Sequence, residues 1–150
     1  MESIDLIVCI RSISKAYDGV LKKICAEFGL SLLEVKVLSF LHNNPQMNTA
    51  GDIAEYRLLS KGNVSQAVES LIRRGYMERT ADAEDRRRVR LSLLPAAKTV
   101  TERIDGEWAK FDKKLLENFD EGEIELFDNF KEKLMQNAKA IMAEAEESRQ

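Results

Sequence analysis

The chain is poor in the residues that do chemistry. It has one histidine, His42, and two cysteines, Cys9 and Cys25, in 150 residues. No Ser/His/Asp set, HExxH motif or glycine-rich phosphate loop is present. Paired carboxylates are abundant but fall on solvated helix faces. An enzyme is therefore not expected, nor is a cofactor. No second Cys or His lies at ligand spacing, so a metal site is not expected either. If both cysteines lie on one first helix, the 16 residues between them span roughly 24 Å. A disulfide needs Cα atoms about 5.5 Å apart, so the two cannot pair within that helix. Only two prolines and seven glycines interrupt the chain, which favours a mostly helical protein. No apolar run approaches the roughly 20 residues that span a bilayer, so no membrane contact is expected. The first residues lack a basic region, an apolar region and a cleavage site, which points to the cytoplasm.

What is present is a segregation of charge. The net charge is -3. From Arg57 to Arg90 the chain carries nine Lys/Arg against five Asp/Glu, a balance of +4; the rest carries 14 against 21, a balance of -7. One electropositive section inside an acidic protein is the footprint of a groove binder, or of a merely solvated basic face.

That section has an ordered pattern. A short helix is expected from a cap at or near Thr49 to Tyr56, with Asp52 in its first turn favoured by the helix dipole. Leu58-Leu59 fills a turn. Ser60 caps a second helix over Lys61 to Arg74, and Gly75 ends it. This second helix is apolar at Val64, Ala67, Val68, Leu71 and Ile72. Its other side bears Lys61, Asn63, Ser65, Gln66 and Arg73. Short hydrogen-bonding side chains on an exposed helix suit base edges in a major groove. A strand over Tyr76 to Arg79, a polar segment from Thr80 to Arg88 and an alternating strand over Val89 to Leu93 then form a hairpin. Its tip carries Asp85-Arg86-Arg87-Arg88, and arginines there suit phosphates or a neighbouring minor groove. These parts make a winged helix-turn-helix.

The flanks are helical. Ile4 to Phe28 bears an apolar stripe at Leu6, Ile10, Ile13, Tyr17, Val20, Leu21, Ile24 and Phe28, closed by Gly29. Ser31 and Glu34 form a capping box, with Leu30 and Val35 as a staple, for a helix running to about His42. Pro95 is placed in the first turn of a fifth helix whose stripe is Val100, Ile104, Trp108, Phe111 and Leu115. Asp120 and Glu123 cap a last helix, apolar at Ile124, Phe127, Phe130, Leu134, Ala138, Ile141 and Ala145, with Glu144 to Gln150 expected to fray. The whole is mainly α with a small β-hairpin wing. It forms one domain: residues 30–94 are the winged helix, and residues 1–29 and 95–150 supply long amphipathic helices. Interleaving those helices in a two-fold dimer would cover their apolar faces; folding back as a monomeric bundle is the alternative.

With this order of parts the chain resembles the MarR family of transcriptional regulators over nearly all its length. The resemblance is carried by Asp52-Ile53-Ala54-Glu55, by Gly62-Asn63-Val64-Ser65-Gln66 leading to Leu71-Ile72-Arg73-Arg74-Gly75-Tyr76, and by Asp85-Arg86-Arg87 before Val89-Arg90-Leu91-Ser92-Leu93. It departs where many members have a glycine after the second wing strand; here stands Leu94-Pro95-Ala96-Ala97. The resemblance implies a homodimer that binds a near-palindromic DNA operator and represses transcription. It also implies release by a small aromatic effector or by cysteine oxidation. By carry-over, Ser65 and Gln66 face bases, Asn63 and Lys61 bases or phosphates, and Arg87 the minor groove. Asp85 holds Arg87 through a charge-assisted hydrogen bond. The expected DNA-facing set is thus Ser60, Lys61, Asn63, Ser65, Gln66, Arg73, Asp85, Arg86, Arg87 and Arg88.

Several positions keep two readings. Tyr17, Phe40, Trp108 and Phe111 either line an effector cavity or are plain core. Cys9 is either a redox sensor or a flank cysteine about two residues off the sensing position. His42, at a helix end, reads as structural. A winged helix used only for protein contacts is the remaining alternative, and it would not require arginines on the wing.

Overall fold

The computed structural model describes residues 3–148. Six helices and one hairpin follow in the order α1 (Ser3–Phe28), α2 (Leu32–Asn43), α3 (Ala50–Tyr56), α4 (Lys61–Arg73), β1 (Met77–Ala81), β2 (Val89–Leu93), α5 (Ala97–Leu115) and α6 (Glu121–Glu147). The chain divides into two compact units, Met1–Phe111 and Asp112–Gln150.

Local rules fix most of the ends. Ser31 Oγ accepts the Glu34 N–H at 3.1 Å while Glu34 accepts the Ser31 N–H at 2.7 Å. Thr49 and Asp52 make the same reciprocal pair at the start of α3. Asp52 therefore closes a capping box rather than only meeting the helix dipole. Asp120 and Glu123 do likewise for α6. Each box satisfies two backbone donors that the first helical turn leaves unpaired. Gly29 and Gly75, both at positive φ, end α1 and α4 as left-handed residues.

In the first unit the core gathers Leu21 and Ile24 of α1, Leu38 of α2, Ile53 of α3, Leu71 of α4, Met77 of β1 and Ile104 of α5, all fully buried. The hairpin pairs Met77 with Leu93 and Ala81 with Val89 in antiparallel register. Two long-range ties close the unit. Arg74 donates to the carbonyls of Gly29 at 2.8 Å and Phe28 at 3.2 Å, and so satisfies the C-terminal end of α1. Arg103 of α5 meets Glu27 of α1 at 3.0 Å and Glu107 at 2.5 Å. The bonds from Arg103 first, then from Lys110, hold the Glu107 carboxyl at about 2.

Three expectations are corrected. Pro95 lies outside α5, in a turn closed by the Ala97 N–H on the Leu94 carbonyl, and the helix begins at Ala97. Proline fits that turn because it needs no amide donor there. The first wing strand starts at Met77 and extends to Ala81, because Thr80 and Ala81 find partners in Arg90 and Val89. The last helix does not fray at Glu144 but continues to Glu147, where Ser148 caps it through the Glu144 carbonyl; Arg149 and Gln150 lie outside the described residues.

The apolar stripes of the terminal helices are only partly covered. In α1 the stripe is buried at Leu21 and Ile24, whereas Ile4, Ile7, Val8 and Ile10 are exposed. In the second unit, α6 has no buried residue, and Leu126, Phe127, Phe130, Leu134, Met135, Ile141 and Met142 all stand exposed.

Candidate nucleic-acid interface

The α3–α4 pair is a tight helix-turn-helix. The Arg57 N–H reaches the Ile53 carbonyl, and the Leu59 N–H returns to the Ala54 carbonyl at 2.8 Å. Between them Leu58 adopts φ 52, a left-handed conformation that costs a residue bearing Cβ roughly 1–2 kcal/mol. Its side chain is 73% exposed, so packing is not what holds it there. The two returning backbone bonds are.

Helix α4 buries Val64, Ala67, Val68 and Leu71 and turns Lys61, Asn63, Ser65, Gln66 and Arg73 to solvent. The opposed faces are those read from the sequence. Ser60 is exposed, but its hydroxyl is committed to the cap, accepting the Asn63 N–H at 3.2 Å. Asn63 and Gln66 border an open hollow of about 210 Å³ whose far wall is Ser31, Leu33 and Glu34 at the start of α2. Lys61 borders a second hollow, of about 490 Å³, together with Thr49, Asp52, Glu55 and Arg88. The wing's Arg88 and the α4 residue Lys61, 27 positions apart in sequence, thus share one concavity. Glu69 pairs with Arg79 across α4 and β1.

In the wing, Asp85, Arg86, Arg87 and Arg88 are all exposed. Asp85 accepts the backbone N–H of Arg87 at 3.0 Å, so it shapes the turn beneath Arg87 and does not grip the guanidinium. The charge-assisted pair expected there is replaced by one that the sequence reading missed. Asp82 Oδ1 accepts the N–H groups of Glu84 at 2.8 Å and Asp85 at 3.1 Å, and Oδ2 accepts Arg90 Nε at 2.5 Å. Arg90 Nη1 then donates to Asn48 Oδ1 at 2.8 Å, and the Asn48 carbonyl accepts the Leu91 N–H at 2.7 Å. The only signal in the sequence was the unexplained charge of Arg90 between Val89 and Leu91 in the alternating strand.

Those contacts hold the Asp82 carboxyl down to about 2, the Glu84 N–H contributing most, then the Asp85 N–H, then Arg90. A depressed pKa means that the ionised form's contribution is complete above the ordinary aspartate range. It is lost as pH falls from about 4 towards about 2. The Asp82 carboxyl carbon, followed by NMR, should therefore still resonate as a carboxylate near pH 3, where an ordinary aspartic acid is mostly protonated. A midpoint near 4 would show that the Arg90 and backbone contacts are not made in solution.

Of the four aromatic residues, the structure unites three. Tyr17 stacks on Trp108 at 4.3 Å between ring centroids, and Phe111 meets both edge-on at 6.3 and 5.6 Å. Phe40 is buried elsewhere, against Tyr56 at 5.4 Å. Arg57 donates to the Tyr17 hydroxyl at 3.3 Å, and Lys36 pairs with Asp18 at 2.7 Å nearby on α1. His42 meets Asp105 at 2.9 Å, a contact between α2 and α5 in keeping with its structural reading. Cys9 is exposed and Cys25 half-buried, both unpaired; burial raises the Cys25 thiol pKa.

A helix-turn-helix followed by an arginine-tipped hairpin and flanked by long amphipathic helices defines the winged helix class. Residues 28–88, which hold the helix-turn-helix and most of the wing, match the model of the MarR family, the family that the sequence resembles. The fold is also that of solved family members. The MarR transcriptional regulator from Methanosarcina mazei Go1 is 18% identical at a TM-score of 0.78, with 94% of each chain covered. S. aureus MepR in its DNA-binding conformation is 21% identical at 0.79, covering 89% of this chain and 98% of that one. The same regulator in complex with DNA is 21% identical at 0.74, covering 87% and 94%. No curated protein matches the chain. Among the described residues no helix is long and apolar enough to cross a membrane.

Proposed function

We propose that this protein is a sequence-specific DNA-binding transcriptional regulator that acts as a homodimer. The observation that carries the proposal is the shared concavity of Lys61 and Arg88 beside the polar face of α4. It supports a reading in which one duplex meets the polar face of α4 and the cationic wing together. Ser65 and Gln66 read base edges, Asn63 and Lys61 contact bases or phosphates, and Arg73, Arg86 and Arg88 contact phosphates. Arg87 enters the adjoining minor groove. The likeness to MepR bound to DNA supports the same orientation.

The dimer is formed by residues 1–29 and 95–150. Its support is the row of exposed apolar residues on α6 and on the first half of α1, more than a soluble monomer ordinarily leaves uncovered. Two-fold symmetry then implies a near-palindromic operator with half-sites about one helical turn, roughly 34 Å, apart. Repression with release by a small aromatic effector fits the Tyr17–Trp108–Phe111 cluster, where Arg57 supplies a cation beside the rings.

Selection of bound sequences from a random duplex pool tests the proposal. The expected product is an inverted repeat, bound with a steep salt dependence. Recovery of no preferred sequence at any salt concentration would point to a winged helix that contacts proteins instead.

A further inference from the structure

The distal half of the wing has almost no apolar anchorage. Only Met77 of β1 and only Leu91 of β2 are buried, and Ala81 and Val89, the last pair before the loop, are both exposed. A two-stranded hairpin held by its own ladder is marginal in water. Three arginines at the end of such a hairpin would sample many positions, and each would lose freedom on meeting a phosphate. Something polar has to fix them.

Asp82 is 9% exposed in this otherwise open loop. Its carboxylate gathers the Glu84 and Asp85 N–H groups, which set the path of the chain into Arg86, and it grips Arg90 on the opposite strand. Arg90 reaches on to Asn48, the residue before the α3 cap, and Asn48 is also bonded to the β2 backbone at Leu91. A continuous chain of charge-assisted and neutral hydrogen bonds therefore runs from the wing loop to the residue just ahead of the helix-turn-helix. Because hydrogen bonds to ionised groups are short and directional, this chain sets a distance as well as an energy.

We propose that Asp82 is a positioning residue. Through Arg90 and Asn48 it fixes the wing arginines relative to α4 without itself touching nucleic acid. The proposal rests on the DNA-binding reading above. A negative charge in a cationic loop then strengthens binding, opposite to its direct electrostatic effect.

The test combines binding with a measurement that needs no DNA. Asp82→Ala, and the milder Asp82→Asn, which keeps an oxygen for the Glu84 and Asp85 amides, are compared with a wing stripped by Arg86→Ala, Arg87→Ala and Arg88→Ala. In the free protein, backbone order parameters for residues 84–88 should fall from about 0.85 towards 0.6 in Asp82→Asn. Asp82→Ala should weaken the selected duplex roughly tenfold, the size of one lost charge-assisted bond, and Asp82→Asn by less. Added to the stripped wing, either Asp82 change should cost nothing further. An unchanged order parameter in Asp82→Asn would overturn the positioning role whatever the DNA does. So would an undiminished further loss on the stripped wing. A loosened loop with wild-type affinity in both Asp82→Asn and the stripped wing would keep the tie but remove the wing from DNA, and with it the inferred consequence. Should Asp82→Ala fail to fold, Asp82→Asn carries both measurements.

Discussion

Phe130→Glu is expected to leave the protein monomeric and to lower its affinity for a duplex with two half-sites by at least about a hundredfold. Phe130 is 56% exposed in the single chain and shares one face of α6 with Phe127, Leu134 and Ile141, at helical spacing. If that face is the two-fold interface, the substitution is present twice, and each copy buries a carboxylate without a partner. An uncompensated buried charge costs roughly 3–5 kcal/mol, and a two-fold contact repeats it. The dimer should therefore dissociate at micromolar concentration. Binding then loses the second half-site, whose contribution comes from linkage and not from new contacts. Sedimentation should give a mass near 17.1 kDa for the variant and twice that for the parent chain. A variant that sediments as a dimer would place the interface away from this face of α6. The helix would remain formed, because its capping box at Asp120 and Glu123 is untouched.

Gln66→Ala should change which sequence is bound more than how tightly DNA in general is bound. Gln66 is exposed on α4 and makes no hydrogen bond to a neighbouring side chain among those described, so its amide is free to face a base. A bidentate amide–adenine contact discriminates by about 1–3 kcal/mol. Losing it should flatten preference at one base pair of each half-site, up to roughly a hundredfold at that position. Affinity for random duplex should hardly move. Arg87→Ala gives the complementary signature. Narrow A·T-rich minor grooves concentrate negative potential, so its loss should be largest on A·T-flanked operators and small on G·C-flanked ones. Measuring both variants on the same four duplexes, selected or random core with either flank, separates the two roles. Equal loss for Gln66→Ala on selected and random cores would remove its base-reading role, and flank-independent binding by Arg87→Ala would take that arginine out of the minor groove.

Where physics acts within a few residues, the chain sequence was sufficient. Ser31 with Glu34, Thr49 with Asp52 and Asp120 with Glu123 sit three apart, and a helix start brings such residues together whatever the rest of the chain does. The two faces of α4 follow from its period, and β2 from its alternation, with the bounds observed. These local signals, in their order, were enough for the winged helix and for the resemblance to the MarR family. The tertiary structure decided whatever depends on distant segments meeting. Asp82, Arg90 and Asn48 are joined across as many as 42 positions, Arg74 closes α1 from 45 positions away, and Arg103 meets Glu27 from 76. Phe40 leaves the other aromatics for Tyr56 for the same reason. Periodicity tells which face of an element is apolar. It does not say which neighbour's polar groups will arrive at the rim of that face, because that depends on the angles at which several elements pack. The polar ties that fix the wing to the helix-turn-helix are of this second kind, so they became visible only once the core had brought the start of α3 beside β2.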